Sequence, residues 1–475
     1  VSAAATTART AHDAGVERLL ASYRAVPATS AVRLAKRTSN LFRTRAKADA
    51  AGLDTSGLTH VISVDAEART ADVAGMCTYE DLVAATLPFG LAPLVVPQLK
   101  TITLGGAVTG LGIESTSFRN GLPHESVLEM DVLTGAGELV TASRGSGGEH
   151  ADLFRAFPNS YGTLGYAVRL RIELEPVPPF VALTHVRFDD LRELVAAMDS
   201  IVETGDHDGL RVDYLDGVVF SAHESYLCLG TQTSEPGPVS DYTRQQVYYR
   251  SIQHGDGVRR DRLTAHDYLW RWDADWFWCS QAFGAQHPLA RRVWPRRLRR
   301  SSFYGRLMRL ERRFDLGDRL ERMQGRPPRE RVIQDVEVPI ERCAEFLDWF
   351  LANVPIEPIW LCPLRLRDDG GAGGADEPSD AAPEWPLYPL RRGRTYVNVG
   401  FWSTVPVGAT EGETNRRVER EVSALDGHKS LYSDAFYERD EFDALYGGEA
   451  YRAVKQRYDP DSRLLDLYAK AVQRR

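Results

Sequence analysis

Apolar and polar positions alternate in short bursts through the first third of the chain. Residues 58–75 (LTHVISVDAEARTADVAG) predict two short strands around an acidic turn, with Asp65 and Glu67 at its tip. Helical spacing follows at 79–88, and 91–96 returns to an extended apolar run. Segments 129–133 and 138–142 predict a hairpin, because Gly135-Ala136-Gly137 stands between them. A short helix is expected at 152–158, and a strand with alternating arginines at 166–174. Pro176, Pro178 and Pro179 then punctuate the chain and predict a domain boundary. Beyond it, stretches rich in Trp, Tyr and Arg replace the glycine-rich pattern. A strand is expected at 395–402, and helices around 438–446 and 448–457. Residues 368–386 (DDGGAGGADEPSDAAPEWP) are acidic and rich in Gly, Ala and Pro, which predicts a flexible loop.

One segment breaks the strand–helix pattern. Residues 101–122 (TITLGGAVTGLGIESTSFRNGL) place Gly105, Gly106, Gly110, Gly112 and Gly121 among apolar and small hydroxyl residues, and Tyr161-Gly162-Thr163-Leu164-Gly165 repeats the signal. Such segments keep side chains away, so that backbone N–H groups can approach a ligand such as a pyrophosphate. A Rossmann site would need a third glycine after Gly110-Leu111-Gly112, but Ile113-Glu114-Ser115 follows. It would also need a short β-α-β frame with a later acidic residue, and none is visible. Glycines in tight turns remain the alternative for a single cluster, and the second cluster argues for a ligand.

Bulk properties narrow the setting. A net charge of −8 argues against a general nucleic-acid binder. Five scattered cysteines without a C-x-x-C pair suit a reducing compartment and offer neither a disulfide framework nor a metal site. Residues 1–24 lack the apolar core of a signal peptide, and no run of about 18 apolar residues exists. A cytoplasmic protein is expected, with peripheral contact at the inner face of the cell membrane.

Residues 97–122 (PQLKTITLGGAVTGLGIESTSFRNGL) and 152–166 (DLFRAFPNSYGTLGY) resemble the FAD-binding domain of the vanillyl-alcohol-oxidase, or PCMH-type, flavoproteins. Segments 268–278 (YLWRWDADWFW), 332–339 (VIQDVEVP), 358–363 (PIWLCP) and 431–442 (LYSDAFYERDEF) resemble the substrate domain of the 24-dehydrocholesterol reductase-like subfamily, which has actinobacterial relatives. The resemblance implies an α+β fold: a two-subdomain PCMH-type FAD-binding domain over 1–177 and an α/β substrate (cap) domain over 178–475. The C-terminal segment would pack back on the first domain. It implies FAD, with Arg37, Ser39 and Asn40 in a first phosphate loop (36–43). Thr103, Leu104, Gly105, Gly106, Gly110, Gly112, Ile113, Glu114, Ser115, Ser117 and Gly121 would form the main cradle, and Gly162, Thr163 and Gly165 a later contact. Phe118 stands where the family's attachment histidine is sought, and His124 lies in a Pro-His-Glu turn, so non-covalent FAD is expected.

The chemistry so implied is reduction of an isolated lipid C=C bond by flavin hydride, fed by NADPH or NADH. An unconjugated alkene accepts hydride only as protonation develops cationic character, so the site needs an acid and an apolar pocket tolerant of positive charge. Trp270, Trp272, Trp276 and Trp278, with Phe277, are candidates to line it, each aromatic face contributing roughly 0.5–2 kcal/mol to a nearby cation; plain core packing is the other reading. Tyr437 and Tyr432 are the first candidates for the acid, then Asp335, although a tyrosine with a pKa of about 10 needs assistance. Asp434 either assists or caps the next helix, and His287 reads as a surface residue. Residues 289–314 carry ten arginines among aromatic and aliphatic residues, which suits an anionic membrane face; a solvated helix with Arg–Glu pairs is the alternative. Arginine- and alanine-rich usage suggests a high-GC bacterium. The expected substrate is then a 10-methylene fatty acyl chain of phospholipid, reduced to the 10-methyl (tuberculostearate-type) chain, with an S-adenosylmethionine-dependent methyltransferase as partner. Sterol Δ24 reduction, flavin-dependent alcohol or sterol oxidation, and non-catalytic lipid binding are the alternatives.

Overall fold

The computed structural model describes residues 3–36, 42–43, 50–145, 147–255, 258–314, 327, 329–367 and 383–474. Arg37, Ser39 and Asn40 lie outside the described residues, as do 368–382 of the expected acidic loop. The described end of that loop is anchored: Trp385 is buried with its ring 4.5 Å from that of His124.

The alternation at 58–75 becomes the antiparallel pair Val61–Asp65 and Thr70–Ala74. Strand Tyr166–Pro176 pairs with Thr70–Ala74 on one side and with Val127–Leu133 on the other, and Leu139–Ser143 closes the hairpin at the edge. Leu170, Ile172 and Leu174 face the core of this first sheet. Arg169, on the other side of the strand, is clamped by Asp72 and Asp131 of the neighbouring strands, each at 2.6 Å. Only Leu91–Pro93 of the expected run 91–96 is a strand; residues 94–96 are buried without pairing. The glycine segment is helical in part. Thr103 caps the helix Leu104–Gly110, its hydroxyl accepting from Gly106 N at 3.2 Å. A Cβ at Gly105 would stand 2.7 Å from Gly75 O, so only glycine lets this helix seat against the first sheet.

Val177–Pro179 leads from the first sheet straight into Phe180–Phe188 of a second, eight-stranded sheet. Within it Tyr214–Ser221, Ile359–Leu364, Tyr396–Pro406 and Arg329–Pro339 run side by side in that order, each antiparallel to the next. Helices Leu191–Thr204, Ile340–Asn353 and Glu413–Ala424 cover one face through a core that includes Met198, Phe346 and Val418. The opposite face presents Trp360 and Trp402 to the aromatic segment 268–278. The C-terminal residues return to the N-terminal half: Val32 N, in a separate strand pair with Ala51–Leu53, donates to Arg463 O at 2.9 Å, and Lys455 Nζ to Thr163 O at 2.7 Å. No helix among the described residues is long and apolar enough to cross a membrane.

Candidate active site

A cavity of about 370 Å³ is lined from both halves of the molecule. Thr103, Gly105, Gly106, Gly110, Gly112 and Ile113 line one side, joined by Gly162 and Gly165. Glycine keeps this wall clear of side chains. A Cβ at Gly106 would lie 2.8 Å from Thr103 Oγ1 and 3.2 Å from Lys36 Nζ, and one at Gly110 would lie 3.1 Å from the Tyr161 ring. Lys36, whose Nζ donates to Thr103 Oγ1 at 2.8 Å, adds a cation to this wall.

The cradle ends at Gly112–Ile113. Leu111 has φ +56°, and beyond it the chain crosses to the second sheet, where Leu215 N donates to Ser115 O at 2.7 Å and Arg365 N to Ser117 O at 3.2 Å. Ser115 and Ser117 therefore do not line the cavity, nor do Leu104, Gly121 and Thr163. Leu104 is core, Gly121 forms a positive-φ turn over Glu125, and the Thr163 hydroxyl donates to Ser160 O at 2.8 Å. Glu114 also turns away. Its Oε1 accepts from Arg271 Nη2 at 2.7 Å, and the same nitrogen donates to Asp216 Oδ2 at 2.9 Å, all three being buried.

Asp216 reaches the cavity indirectly. Its Oδ2 accepts from the indole nitrogens of Trp272 (3.3 Å) and Trp360 (3.2 Å). Trp360 lines the cavity with Trp276, Phe277 and Trp402. Trp272 lies behind, stacked on Phe277 at 4.6 Å. Trp270 and Trp278 are likewise buried off the lining. Of the expected aromatic residues, Trp276 and Phe277 thus face the cavity, and Trp360 and Trp402 join them from segments read only as strand or family-like.

The acid candidates separate as sharply. Asp335 and Tyr432 line the cavity, and Tyr437 does not. Tyr437 is buried beside Tyr446, with ring centroids 5.9 Å apart, and its carbonyl accepts from Tyr468. Asp434 does not cap the next helix, Arg439–Leu445, whose N-cap position is held by Glu438. Asp335 sits in a row across three strands, directly opposite Gly400, which is itself opposite Trp360. A Cβ at Gly400 would lie 2.5 Å from Asp335 Oδ1, so this glycine makes the room in which the carboxyl stands. The Tyr432 hydroxyl accepts from Trp402 Nε1 at 2.8 Å and bonds to Asp335, while Asn398 Nδ2 donates to Asp335 Oδ1 at 3.4 Å. Burial pushes Asp335 up to about 7, against the weaker pull of the Asn398 and Tyr432 hydrogen bonds. Burial also raises Glu337, two residues along the same face, well above its ordinary range, and lifts the Cys279 thiol at the cavity wall to about 12.

Residues 19–143 match the family model described as an FAD binding domain. The protein is an FAD-dependent oxidoreductase. Over 448 residues the oxidoreductase is 26% identical to a protein of Arabidopsis thaliana named Delta(24)-sterol reductase, covering 88% of this chain and 76% of that protein. The human Delta(24)-sterol reductase is 24% identical over 432 residues, with 87% and 76% covered. A shorter match, 33% identical over 184 residues, is to cytokinin dehydrogenase 2 of rice, Oryza sativa subsp. japonica, covering 37% of this chain and 31% of that protein. The residues present fit the cofactor: the close-packed glycines at 106 and 110, the Thr103 hydroxyl and the Lys36 ammonium suit a pyrophosphate-bearing ligand. His124 is buried against Trp385 and stands off the cavity lining.

Proposed function

We propose that this oxidoreductase reduces an isolated, branched C=C bond of a lipid, in the manner for which its Delta(24)-sterol reductase relatives are named. A sterol side-chain double bond thereby displaces the 10-methylene acyl chain as the first substrate, because the long matches are to proteins named for sterol reduction. The observation that carries the reading is Asp335: a carboxyl held as an acid near neutral pH, opening on a cavity walled by Trp276, Phe277, Trp360 and Trp402. Bound non-covalently and reduced by NADPH or NADH, FAD supplies the hydride. The chain's residues supply the rest. Asp335 delivers the proton to the less substituted alkene carbon, directly or through the Tyr432 hydroxyl. Trp402 and Asn398 hold that pair in place. The four aromatic faces stabilise positive charge developing on the more substituted carbon and keep water from it.

The test is anaerobic photometry of the purified yellow protein. NADPH should bleach the flavin, and a Δ24-sterol should restore its colour with formation of the saturated side chain. A 10-methylene acyl phospholipid run in parallel assigns the substrate between the two. Bleaching by an alcohol, with no reoxidation by either alkene, would sink the reductase reading.

A further inference from the structure

The arginines of 289–306 do not form one face. Arg291 is buried, pairing with Asp275 at 2.6 Å and donating to the carbonyls of Tyr242 (2.7 Å) and Gln246 (2.6 Å). Arg299 is buried as well, donating to the carbonyls of Thr243 (2.5 Å) and Trp294 (2.9 Å). Arg300 pairs with Glu80. These residues bolt the segment to the body of the protein. What they leave outside is a small knob at 287–297, in which Leu289, Arg292, Val293, Arg296 and Arg297 are all exposed.

Leu289 is 70% exposed and Val293 81%, the most exposed of the large apolar side chains among the described residues. They stand four residues apart on the helix Pro288–Val293, hence on the same side of it. His287 caps that helix, its Nδ1 accepting from Leu289 N at 3.3 Å. Behind the knob, Trp294 packs on Tyr304 at 6.2 Å, and Tyr304 stacks on Trp276 at 6.4 Å with planes 3° apart. Trp276 lines the cavity. The exposed tip is thus two ring contacts from the cavity wall.

We propose that this knob docks the protein on an anionic lipid bilayer, with Leu289 and Val293 entering the acyl boundary and Arg292 and Arg297 on the lipid phosphates, Arg296 being paired with Asp241. Two features choose this occupant. The knob is cationic on a chain of net charge −8, so its complement is a negatively charged surface. It is also small: two aliphatic side chains on a six-residue helix fall far short of the roughly 800 Å² per partner of a stable protein interface, whereas membrane association needs only shallow insertion plus charge. The proposal stands independently of the reductase reading.

Co-sedimentation of the FAD-loaded protein with vesicles tests it. Binding is expected to vesicles of equimolar phosphatidylglycerol and phosphatidylcholine, to weaken with salt, and to be much poorer on phosphatidylcholine alone. Neutralising Arg292 and Arg297 to glutamine should weaken binding about fivefold for each charge removed. Leu289→Ser with Val293→Ser should cost at least about tenfold, and both sites are exposed enough for the fold to survive, as thermal melts would verify. Equal binding by wild type and both variants overturns the proposal. So does wild-type self-association that the Leu289/Val293 pair abolishes, seen by light scattering, because the knob would then meet a second copy. Alkene turnover in detergent micelles, which these variants should leave unchanged, reports on the reductase reading alone.

Discussion

Replacing Asp335 by asparagine separates an acid from a structural carboxylate, because the two roles predict opposite effects on stability. The substitution keeps the side chain's shape in the space left by Gly400, and removes the proton. Burial holds Asp335 at about 7, against an ordinary value of 3.8. Near pH 7 about half of the molecules therefore carry the acid form, a fraction that falls about fivefold over the next pH unit and about tenfold for each unit after it. Reoxidation of pre-reduced enzyme by the alkene, followed by stopped-flow absorbance, should accordingly be flat in acid and fall above about pH 7. Asp335→Asn should slow this step by about 10²–10⁴-fold, the usual contribution of a general acid, while flavin reduction by the nicotinamide stays intact. The sign for stability follows from the same shift. Between 3.8 and about 7 the folded protein keeps a proton that the unfolded chain has released, so rising pH destabilises the fold across this window. The upper limit is about 4 kcal/mol, reduced by whatever water reaches the cavity. Asp335→Asn should hence be at least as stable as wild type at pH 8, though catalytically poor. A variant with wild-type alkene turnover, or a wild-type rate independent of pH between about 5 and 9, would refute the assignment.

Three further substitutions test the neighbouring parts. Tyr432→Phe removes a hydrogen bond that lowers the Asp335 pKa, so the alkaline limb of the rate profile should move to higher pH, and the orphaned Trp402 indole should cost about 1–3 kcal/mol by urea unfolding. Gly106→Val places carbon against Thr103 Oγ1 and Lys36 Nζ, and the purified protein should lose most of its flavin absorbance while keeping its circular dichroism. Tyr437→Phe should leave alkene reduction within about twofold of wild type, because Tyr437 lies off the cavity; a loss of a hundredfold or more would restore it as an acid.

The sequence made the strands and part of the site legible for reasons the geometry bears out. Alternation marks Tyr166–Pro176 because its core face and its Arg169 face have different solvents, and glycine marks Gly106 and Gly110 because a Cβ there would crowd Thr103 and Tyr161. Local spacing could not show where the cradle stops. Leu111 takes a positive φ without being glycine, and beyond it the backbone carbonyls of Ser115 and Ser117 accept from the second sheet while their hydroxyls bond Tyr268 and Glu114. The aromatic run was equally opaque: Trp276, Phe277 and Trp278 all have positive φ, so no regular period tells which ring faces the cavity. Arg271 belongs with Asp216, 55 residues away, and no local pattern joins them.

Tyr432 and Tyr437 illustrate the limit best, since both stand in LYSDAFY and only the fold distinguishes them. A signal was nevertheless present. Gly400 interrupts the expected strand TYVNVGFW, and a lone glycine inside a strand marks a close approach from the neighbouring strand or a ligand. The approaching groups are Asp335 on one side and Trp360 on the other, one of them an ionisable group. A buried carboxyl opposite a glycine, beside aromatic rings, combines low polarity with room to reach a substrate. That combination is why the proposed proton delivery rests on Asp335 rather than on either tyrosine alone.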